Sequence, residues 1–248
     1  MSEKQTPPAE MTADQSVVLA VNDLTKTFYL HERNLHVPST QNISLLVRSG
    51  ELTALTGPSG SGKSSLLKCI YRTYLTTSGA IWYRTAHGRI VDLASADDGQ
   101  MLDLRQKEIS FVTQFLHCLP RQSTLQVVGW PAMQAGIDPQ ESAEMAERLL
   151  ARVNLPERLW SVSPTTFSGG EKQRVNIVRS LMRKPRLLLL DEPTASLDAV
   201  SAKMVIDLIN EQKNAGCAIL AVMHDPTLVE SMADEVIDVT ACASALGS

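Results

Sequence analysis

A glycine- and serine-rich stretch carries the clearest chemistry in the chain. It reads Gly57-Pro58-Ser59-Gly60-Ser61-Gly62-Lys63-Ser64 and has the spacing G-x-x-x-x-G-K-[ST]. Its glycines allow successive backbone N–H groups to line a nest for phosphate oxygens, and Lys63 can reach the β- and γ-phosphates. The Ser64 hydroxyl can ligate Mg²⁺. The stretch therefore predicts a site for a nucleoside triphosphate with Mg²⁺; a glycine–serine turn that matches by chance is the alternative.

Two carboxylates follow a continuous apolar run farther along the chain. The run Leu187-Leu188-Leu189-Leu190 is typical of a central parallel strand covered on both faces, and Asp191 and Glu192 come directly after it. At that strand end Asp191 can hold Mg²⁺, directly or through water, and Glu192 can accept a proton from the attacking water. The pair predicts hydrolysis of the triphosphate; an acidic turn after a core strand is the alternative.

Gln114 and His224 occupy a similar position, each at the end of a short apolar strand. Ligands bind outside the carboxyl ends of strands in open α/β sheets, so both side chains are candidates for the phosphate edge. Gln114 can contact the metal and the water, and His224 the γ-phosphate. Taken alone, each residue is better explained as a surface side chain whose hydrogen-bonding groups already have partners than as a ligand of the phosphates.

The segment Ser168-Gly169-Gly170-Glu171 is a second candidate anion site. Ser168 and Glu171 have the spacing of a capping box, which places Ser168 at a helix N-terminus. The serine hydroxyl and the two unencumbered glycine N–H groups can bind an anion there. An ordinary N-cap with a glycine pair explains the segment without a ligand, but its position shortly before Asp191 favours a phosphate site.

Alternating strands and helices must position these residues. The predicted strands are residues 17–24, 26–30, 43–47, 52–56, 80–83, 109–113, 187–190, 218–223 and 236–239. The predicted helices are residues 64–71, a helix capped by Asp138 with Glu141 closing a capping box, a helix from Ser168 to about Lys184, and residues 199–214 and 227–233. This alternation implies an α/β fold with a mostly parallel sheet. The helical, proline-punctuated stretch at about 115–165 is interpreted as a lobe inserted into the core.

Composition narrows the function classes. The 248 residues suffice for one large domain with a substantial core. The formal net charge of −4 gives no support to a nucleic-acid surface or a polybasic membrane patch. The four cysteines, at positions 69, 118, 217 and 242, lack metal-ligand spacing and indicate free thiols in a reducing compartment. No apolar run is long enough to cross a membrane, so we expect a cytoplasmic protein.

Residues 1–16 are polar, contain Pro7-Pro8 and lack an apolar stretch. They predict a disordered tail rather than a signal peptide. Residues 17–240 are then expected to form a single ATP-binding domain, and residues 241–248 a short tail.

Taken in order, these motifs resemble those of ABC-type ATPases. The phosphate loop, Gln114, residues 167–171, residues 187–192, Ser196-Leu197-Asp198 and His224 occur in the family's sequence order, and the match covers about residues 17–239. The resemblance implies a P-loop NTPase fold of ABC type, with an antiparallel β subdomain beside the parallel core. It also implies two subunits arranged head to tail, homodimer or paired with a related ATPase, with two ATP molecules sandwiched between them.

The resemblance assigns roles by position. It implies Glu192 as the general base, His224 as the switch histidine and Lys63 as a catalytic phosphate ligand, and it implies Ser64, Gln114 and Asp191 as the Mg²⁺ ligands. It implies ATP contacts from Phe28, Gly57, Pro58, Ser59, Gly60, Ser61, Gly62, Lys63, Ser64, Ser65, Gln114, Ser168, Gly169, Gly170, Glu171 and Asp198. Phe28 matches the adenine-stacking aromatic, with Tyr29 as second choice and a core role as the alternative. Phe167 and Glu171 depart from the family's usual leucine and glutamine, and Glu171 adds negative charge near bound phosphate.

A narrower resemblance concerns three stretches outside these motifs, residues 70–75, 114–121 and 155–160. They are similar to the L subunits of bacterial carbon–phosphorus lyase systems. This resemblance implies a soluble phosphonate-degrading complex as partner, in which ATP loses adenine when an alkylphosphonate is joined to its ribose. Nothing in the chain beyond the ATPase residues indicates a phosphonate site.

Three functions therefore remain open. The first is an ATP-hydrolysing dimer coupled to the phosphonate complex. The second is the ATPase subunit of a membrane transporter, docking through the apolar surface at residues 115–128. The third is a module that binds ATP without hydrolysis, which the presence of Lys63, Asp191, Glu192 and His224 disfavours.

Overall fold

The computed structural model describes residues 6–240. The predicted tail at residues 241–248 and the first five residues of the predicted N-terminal tail lie outside this range. The described residues contain two sheets and eight α-helices.

The first sheet is antiparallel. Its strands are β1 (Val17–Leu30), β2 (Leu35–Arg48), β4 (Ser78–Arg84) and β5 (Ile90–Asp92), in the order β2-β1-β4-β5. The second sheet is parallel in every recorded pairing. Its strands are β3 (Leu52–Thr56), β6 (Ile109–Val112), β7 (Leu187–Asp191), β8 (Ala218–Val222) and β9 (Glu235–Asp238), in the order β6-β7-β8-β3-β9. The predicted α/β fold with a mostly parallel sheet is confirmed.

The helices connect and cover these strands. They are α1 (Ala9–Ala13), α2 (Lys63–Ile70), α3 (Asp98–Lys107), α4 (Thr124–Gln134), α5 (Pro139–Arg152), α6 (Gly169–Leu181), α7 (Ala199–Asn214) and α8 (Pro226–Met232). Helices α4 and α5, with two short 3-10 turns at Glu157–Leu159 and Pro164–Thr166, lie between β6 and α6. This part of the chain contains no strand, as predicted for the helical lobe.

The leucine run forms β7 because both faces of the parallel sheet are covered. Leu187 and Leu189 belong to one buried cluster, which also contains residues of α2 and the antiparallel sheet. Leu188 and Leu190 belong to a second cluster, which contains residues of α4, α5, α6 and α7. Successive side chains of a strand point to opposite faces, so an unbroken leucine run is the pattern that this environment requires.

Asp138 caps α5, but the predicted capping box is only half formed. The Asp138 side chain accepts hydrogen bonds from the backbone N–H groups of Gln140 and Glu141. The Glu141 side chain makes no return bond to the backbone of Asp138. Pro139 in the first turn and the single cap are enough to begin the helix.

The structure differs from the predicted N-terminal tail over residues 9–16. Ala9–Ala13 forms α1, and Met11 is fully buried against the antiparallel sheet, beside Ala80 and Trp82. The Arg84 guanidinium donates hydrogen bonds to the backbone carbonyl groups of Met11 and Asp14. The segment is ordered because the sheet buries the Met11 side chain and because Arg84, a residue of the sheet, satisfies the backbone acceptors of Met11 and Asp14.

Candidate functional site

Close packing around Gly62 fixes the phosphate loop. Gly57, Gly60 and Gly62 all have positive φ, at 127°, 83° and 90°. A Cβ atom at Gly62 would lie 2.1 Å from the Ser39 carbonyl oxygen and 2.5 Å from Thr40 Cγ2. Only glycine fits there, and α2 begins at the next residue with its N-terminus facing the loop.

Lys63 lies inside this loop. It is 5% exposed, and its Nζ donates to the carbonyl oxygens of Gly57 and Pro58, each at 2.8 Å, and to Ser61 Oγ at 3.3 Å. Burial lowers the pKa of the Lys63 ammonium, opposed by the charges of Glu192, Asp191 and Asp238. The loop carbonyls therefore hold the ammonium at the centre of the predicted phosphate nest.

Ser64 and Asp191 meet as predicted for two ligands of one cation. The Ser64 hydroxyl donates to Asp191 Oδ1 at 2.8 Å, and Asp191 is 4% exposed. Burial raises the pKa of the Asp191 carboxyl, while the Ser64 hydrogen bond lowers it. A hydroxyl and a carboxylate at this spacing suit Mg²⁺, which binds through one or two side chains together with substrate phosphates. Residues 6–240 hold no group of three or more His, Cys, Asp or Glu suited to a metal ion.

Glu192 and His224 form a hydrogen-bonded pair next to this site. His224 Nε2 and Glu192 Oε1 are 3.0 Å apart, and both side chains retain contact with solvent. Glu192 has a φ of 52°, in the left-handed region, and its backbone N–H donates to the Val222 carbonyl at 3.2 Å. The end of β8 therefore holds the carboxylate through two contacts, one to its backbone and one to its side chain.

The Gln114 side chain lies beside the start of α6. It is exposed and lines a cavity of about 380 Å³ together with Gly169, Gln173 and Ser196. No hydrogen bond joins it to Ser64 or Asp191 within residues 6–240. The contact of Gln114 with a metal stays a prediction.

Ser168 caps α6 with the predicted reciprocal box. Its Oγ accepts from the Glu171 N–H at 3.3 Å, and its own N–H donates to Glu171 Oε2 at 2.8 Å. The Ser168 hydroxyl also donates to Glu171 Oε2 at 2.8 Å, and this bond, followed by that from the Ser168 N–H, lowers the pKa of the Glu171 carboxyl. A Cβ at Gly170 would lie 3.0 Å from the Ser196 carbonyl oxygen, so the glycine allows the loop after β7 to pack onto the start of α6.

Asp198 is engaged in capping α7. Its carboxylate accepts hydrogen bonds from the backbone N–H groups of Val200 and Ser201 and from the Ser201 hydroxyl. These bonds lower the pKa of Asp198. Asp198 therefore ends the loop at residues 196–198 by capping α7. Its contact with ATP stays a separate prediction.

The two candidate aromatics have different surroundings. Phe28 is half-buried, and its ring meets Tyr74 edge-on with centroids 5.1 Å apart, while Lys26 Nζ lies 4.7 Å from its centroid. Tyr29 is 41% exposed and its hydroxyl bonds the Asn34 side chain. Phe28 is therefore the more buried of the two rings, while the Tyr29 ring also contacts the rings of His31 and His36.

The two predicted phosphate sites are separate on this chain. Ser64 and Asp191 lie at the phosphate loop, whereas residues 168–170 lie with Gln114 and Ser196 at the base of the lobe. No hydrogen bond or ion pair in residues 6–240 connects the loop to Ser168.

Three further residues belong to this region and were not predicted. Asp238 ends β9, beside the strand that enters the phosphate loop, and its charge acts on Lys63. The strand-end argument that selected Gln114 applies to it equally. Gln173 and Asn176 are buried in α6 and donate to the carbonyl groups of Pro193 and Thr113. Their amide chemistry gives no signal in the sequence, because the acceptors are remote in the chain.

None of the helices in residues 6–240 is long and apolar enough to span a bilayer.

Comparison with known proteins identifies the relatives of the chain. The family model for ABC transporters matches residues 40–195. The lipoprotein-releasing system ATP-binding protein LolD of Shewanella denitrificans is 38% identical over 220 residues, covering 88% of this chain and 91% of that protein. The macrolide export ATP-binding/permease protein MacB 1 of Yersinia pestis is 37% identical over 199 residues, covering 80% of this chain and 30% of that longer protein.

A solved structure supports the fold. It is the dimeric ATP-binding cassette MJ0796 in a post-hydrolysis state bound to ADP and Pi, with 26% identity and a TM-score of 0.77. The match covers 88% of this chain and 96% of that chain. It confirms the fold class predicted from the sequence.

Proposed function

The chain belongs to the ABC transporter family, and we propose that it is the ATP-hydrolysing subunit of a membrane transporter, closing as a head-to-tail dimer around two ATP molecules. The contact between Glu192 and His224 beside Ser64 and Asp191 carries the hydrolytic part of this proposal. A module that only binds ATP has no need for a positioned carboxylate at that point.

The residues divide the work of hydrolysis. Lys63 and the N–H groups of the loop bind the β- and γ-phosphates, and Glu192 accepts the proton of the attacking water. His224 holds the Glu192 carboxylate in place through Nε2. When Mg²⁺ is bound, with Ser64 and Asp191 as the side chains that hold it, it neutralises charge that develops on the phosphate oxygens.

The dimer follows from the separation of the two anion sites. A second subunit placed head to tail would bring its Ser168-Gly169-Gly170 segment to the phosphate loop of the first. The similar cassette MJ0796 is described as a dimer with ADP and Pi, which supports this arrangement. Gln114 would contact the same Mg²⁺ as Ser64 and Asp191, as the resemblance to ABC-type ATPases implies.

A transporter is the better supported partner. LolD is named as part of a lipoprotein-releasing system, and MacB 1 joins an ATP-binding part and a permease in one chain. The phosphonate complex is the second candidate, and only the resemblance of residues 70–75, 114–121 and 155–160 favours it. The relatives reported above do not share that role, so the phosphonate ribosylation step stays a secondary hypothesis.

The variant Glu192→Gln tests the hydrolytic role. Because it removes the proton acceptor and keeps the shape of the side chain, we expect ATP binding to persist and turnover to fall roughly a hundredfold or more. Steady-state phosphate release and ATP-dependent dimerisation in gel filtration measure the two effects. Glu147→Gln, at an exposed position of α5, is the matched control. Undiminished ATPase activity in Glu192→Gln would rule out the assigned base.

Affinity purification of the full chain from detergent-solubilised native cells tests the partner. We expect integral membrane proteins to copurify. Recovery of phosphonate enzymes without membrane proteins would instead support the second candidate.

A further inference from the structure

Two aromatic rings meet between the antiparallel sheet and the end of α2. The Phe28 ring of β1 contacts the Tyr74 ring edge-on, with centroids 5.1 Å apart and an interplanar angle of 86°. Both side chains are half-buried, although the next two residues of β1 are exposed. Edge-on contact is a preferred arrangement of aromatic pairs and restricts the rotation of both rings. Phe28 therefore has a defined orientation near an exposed end of its strand.

Two lysines bring positive charge onto these rings. Lys26 Nζ lies 4.7 Å from the Phe28 centroid and 5.9 Å from the Tyr74 centroid. Lys68 Nζ lies 5.4 Å from the Tyr74 centroid. A cation within about 6 Å of a ring centroid is attracted to the ring. None of the ion pairs within residues 6–240 includes either lysine, so no carboxylate there draws them away from the rings.

The end of α2 fixes Tyr74 relative to the phosphate loop. This helix begins in the loop. Beyond its last turn Arg72 has a φ of 62°, and the N–H groups of Thr73 and Tyr74 donate to the Lys68 carbonyl at 2.8 and 3.1 Å. Such bonds close the C-terminus of a helix. The Tyr74 ring is therefore tied to the helix whose N-terminus faces the predicted phosphate nest.

The pairing of β1 with β2 brings Phe28 near the same loop. Phe28 pairs with Val37, and Ser39 lies two residues farther along β2. Two residues of a strand span about 7 Å. The Ser39 carbonyl approaches Gly62 of the loop so closely that only glycine fits there. A nucleotide whose phosphates lie in the loop can therefore bring its base to the Phe28 ring.

Lys26 lies beside the second turn of α2. Ser39 Oγ donates to Ser65 Oγ in the first turn at 2.8 Å, and Cys69 lies one turn farther from the loop on the same face. Burial raises the pKa of the Cys69 thiol to about 11, and the charge of Lys26 opposes this rise. Together with the ring distances, this places the ammonium at the rings rather than at the helix N-terminus, where the phosphates are predicted to bind.

We propose that Lys26 and Tyr74 are positioning residues for Phe28, holding its ring so that it stacks on the base of bound ATP. The proposal rests on the ATPase function proposed above and on Phe28 as the base contact, and it adds two residues to which the motifs give no role. Stacking of a base on an aromatic side chain contributes roughly 5- to 150-fold in affinity. A ring that is already held loses less freedom when the base arrives, so more of this affinity is realised.

Binding of two ligands to the purified full chain tests the proposal. ADP and inorganic pyrophosphate are titrated by calorimetry with Mg²⁺, because both contain two linked phosphates and only ADP carries a base. Lys26→Gln removes the ammonium and keeps an unbranched polar side chain. We expect it to weaken ADP binding roughly three- to tenfold and to leave pyrophosphate binding within about twofold. Lys203→Gln, at an exposed position of α7, is the matched control for the loss of one positive charge.

Conservative variants distinguish positioning from a general loss of structure. Lys26→Arg keeps a cation for the ring and should bind ADP within about twofold of the wild type. Tyr74→Phe keeps the edge-on partner and should also bind ADP like the wild type, whereas Tyr74→Leu should resemble Lys26→Gln. If Tyr74→Leu does not fold, the Lys26 variants decide. Equal losses of ADP affinity in Lys26→Gln and Lys26→Arg would overturn the proposal.

Coupling to Phe28 separates positioning from direct contact with ATP. Phe28→Ala alone should weaken ADP binding, and Lys26→Gln should then add less than about a twofold effect, because the ring that it positions is gone. A full further loss in the double variant, or an equal loss of pyrophosphate affinity in Lys26→Gln, would assign Lys26 to the phosphates and overturn the proposal. Tighter ADP binding by Lys26→Gln would show that the lysine blocks the ring and would overturn it as well.

The same measurements distinguish failure of this proposal from failure of the proposed function. Unchanged ADP affinity in Phe28→Ala would remove the base contact, and with it the roles of Lys26 and Tyr74, while the ATPase function would stand. A wild-type protein that binds neither ADP nor ATP and releases no phosphate from ATP would overturn both.

Discussion

At two adjacent glycines in this site, the distance to a neighbouring segment decides whether a side chain would fit. At Gly170 a side chain would meet the Ser196 carbonyl at 3.0 Å, whereas at Gly169 the nearest atom, Ser196 Cβ, is at 3.8 Å. The two glycines are adjacent in the sequence and chemically identical. Their tolerance of a methyl group should nevertheless differ, because only one supports the loop after β7.

We therefore expect Gly170→Ala to be the more damaging of the pair. Overpacking against a backbone carbonyl costs about 1–3 kcal/mol, so its thermal midpoint should fall. Gly169→Ala should be neutral or slightly stabilising, since alanine favours the helix and has room. Thermal unfolding of both variants measures this difference. Equal midpoints would show that the loop at Ser196 moves aside without cost.

Glu171 predicts a pH dependence of the α6 cap. Its pKa is lowered in the folded state by the Ser168 hydroxyl and N–H. A depressed folded pKa stabilises the protein above the ordinary glutamate value of about 4.3, and this stabilisation is lost as pH falls through the folded pKa. The effect should be small, because Glu171 is largely solvated.

The matched variant is Glu171→Gln, which can keep the capping box without ionising. In urea unfolding, the stability advantage of the wild type over this variant should shrink between about pH 5 and pH 3. An advantage that grows toward acid pH would contradict the assigned sign.

At the scale of elements, α6 connects the two phosphate regions of the fold. Its first residues carry Ser168 and Glu171, and its buried amides reach the segments that follow β7 and β6. The bond from Gln173 goes to Pro193, next to Glu192, and the bond from Asn176 goes to Thr113, next to Gln114. The helix therefore links the residues proposed for hydrolysis to the start of the lobe.

Asn176→Ala should weaken this link. Asn176 is 5% exposed and donates to the Thr113 carbonyl at 2.7 Å, so its loss leaves that acceptor without its partner. We expect a loss of about 1–3 kcal/mol in the free energy of unfolding, measured in urea. Ser180→Ala, one turn later, is the control, since among the described residues its hydroxyl bonds to Ile177 alone, in the same helix. Equal losses of unfolding free energy in the two variants would argue against a special role for the hydrogen bond from Asn176 to the Thr113 carbonyl.

The sequence predicted the elements whose patterns are locally unambiguous. The leucine run identified β7, and Ser168 with Glu171 identified the start of α6, because a doubly buried strand and a capping box each leave a short-range signature. The helix at 199–214 was also predicted with its observed bounds, helped by the stop at Gly216.

Elements that depend on distant partners were missed. Residues 35–42, the first part of β2, include Pro38 and are largely exposed, so no alternation revealed a strand that pairs with the far end of β1. Strand β5 was missed because three residues are too few to show an alternation. Helix α3 was missed because only two of its residues, Met101 and Leu104, are buried, which leaves no periodic apolar face. In the site, Gln173 and Asn176 could not be selected because their acceptors, at Pro193 and Thr113, are remote in the chain, whereas Asp238 has the strand-end position that selected Gln114 and was overlooked.

At the scale of the whole molecule, the proposed dimer divides each ATP site between two chains. The phosphate loop and the Ser168 segment lie in different regions, so the proposed closed state has two composite sites, each built from both subunits. Suppose that one subunit of such a dimer carries a damaged Lys63 and its partner a damaged Ser168. Both changes then lie in the same composite site. The other site stays intact.

Mixing two inactive variants tests this arrangement. Lys63→Ala and Ser168→Arg homodimers should each lack activity, but half of the dimers in an equal mixture should contain one intact site. We expect up to about a quarter of wild-type ATP turnover. A mixture of Lys63→Ala with the double variant is the control, because none of its dimers has an intact site. Mixed dimers that form but stay inactive would show that the two segments do not share a site across subunits.

The backbone of Glu192 has a consequence for how stable this protein can become. Its φ of 52° is unfavourable for a residue with a Cβ by roughly 1–2 kcal/mol, and glycine would adopt it freely. Selection for heat tolerance alone would therefore favour glycine at this position and discard the carboxylate. In its proposed role as the base, Glu192 therefore keeps its carboxylate at a cost in stability that other parts of the fold must offset.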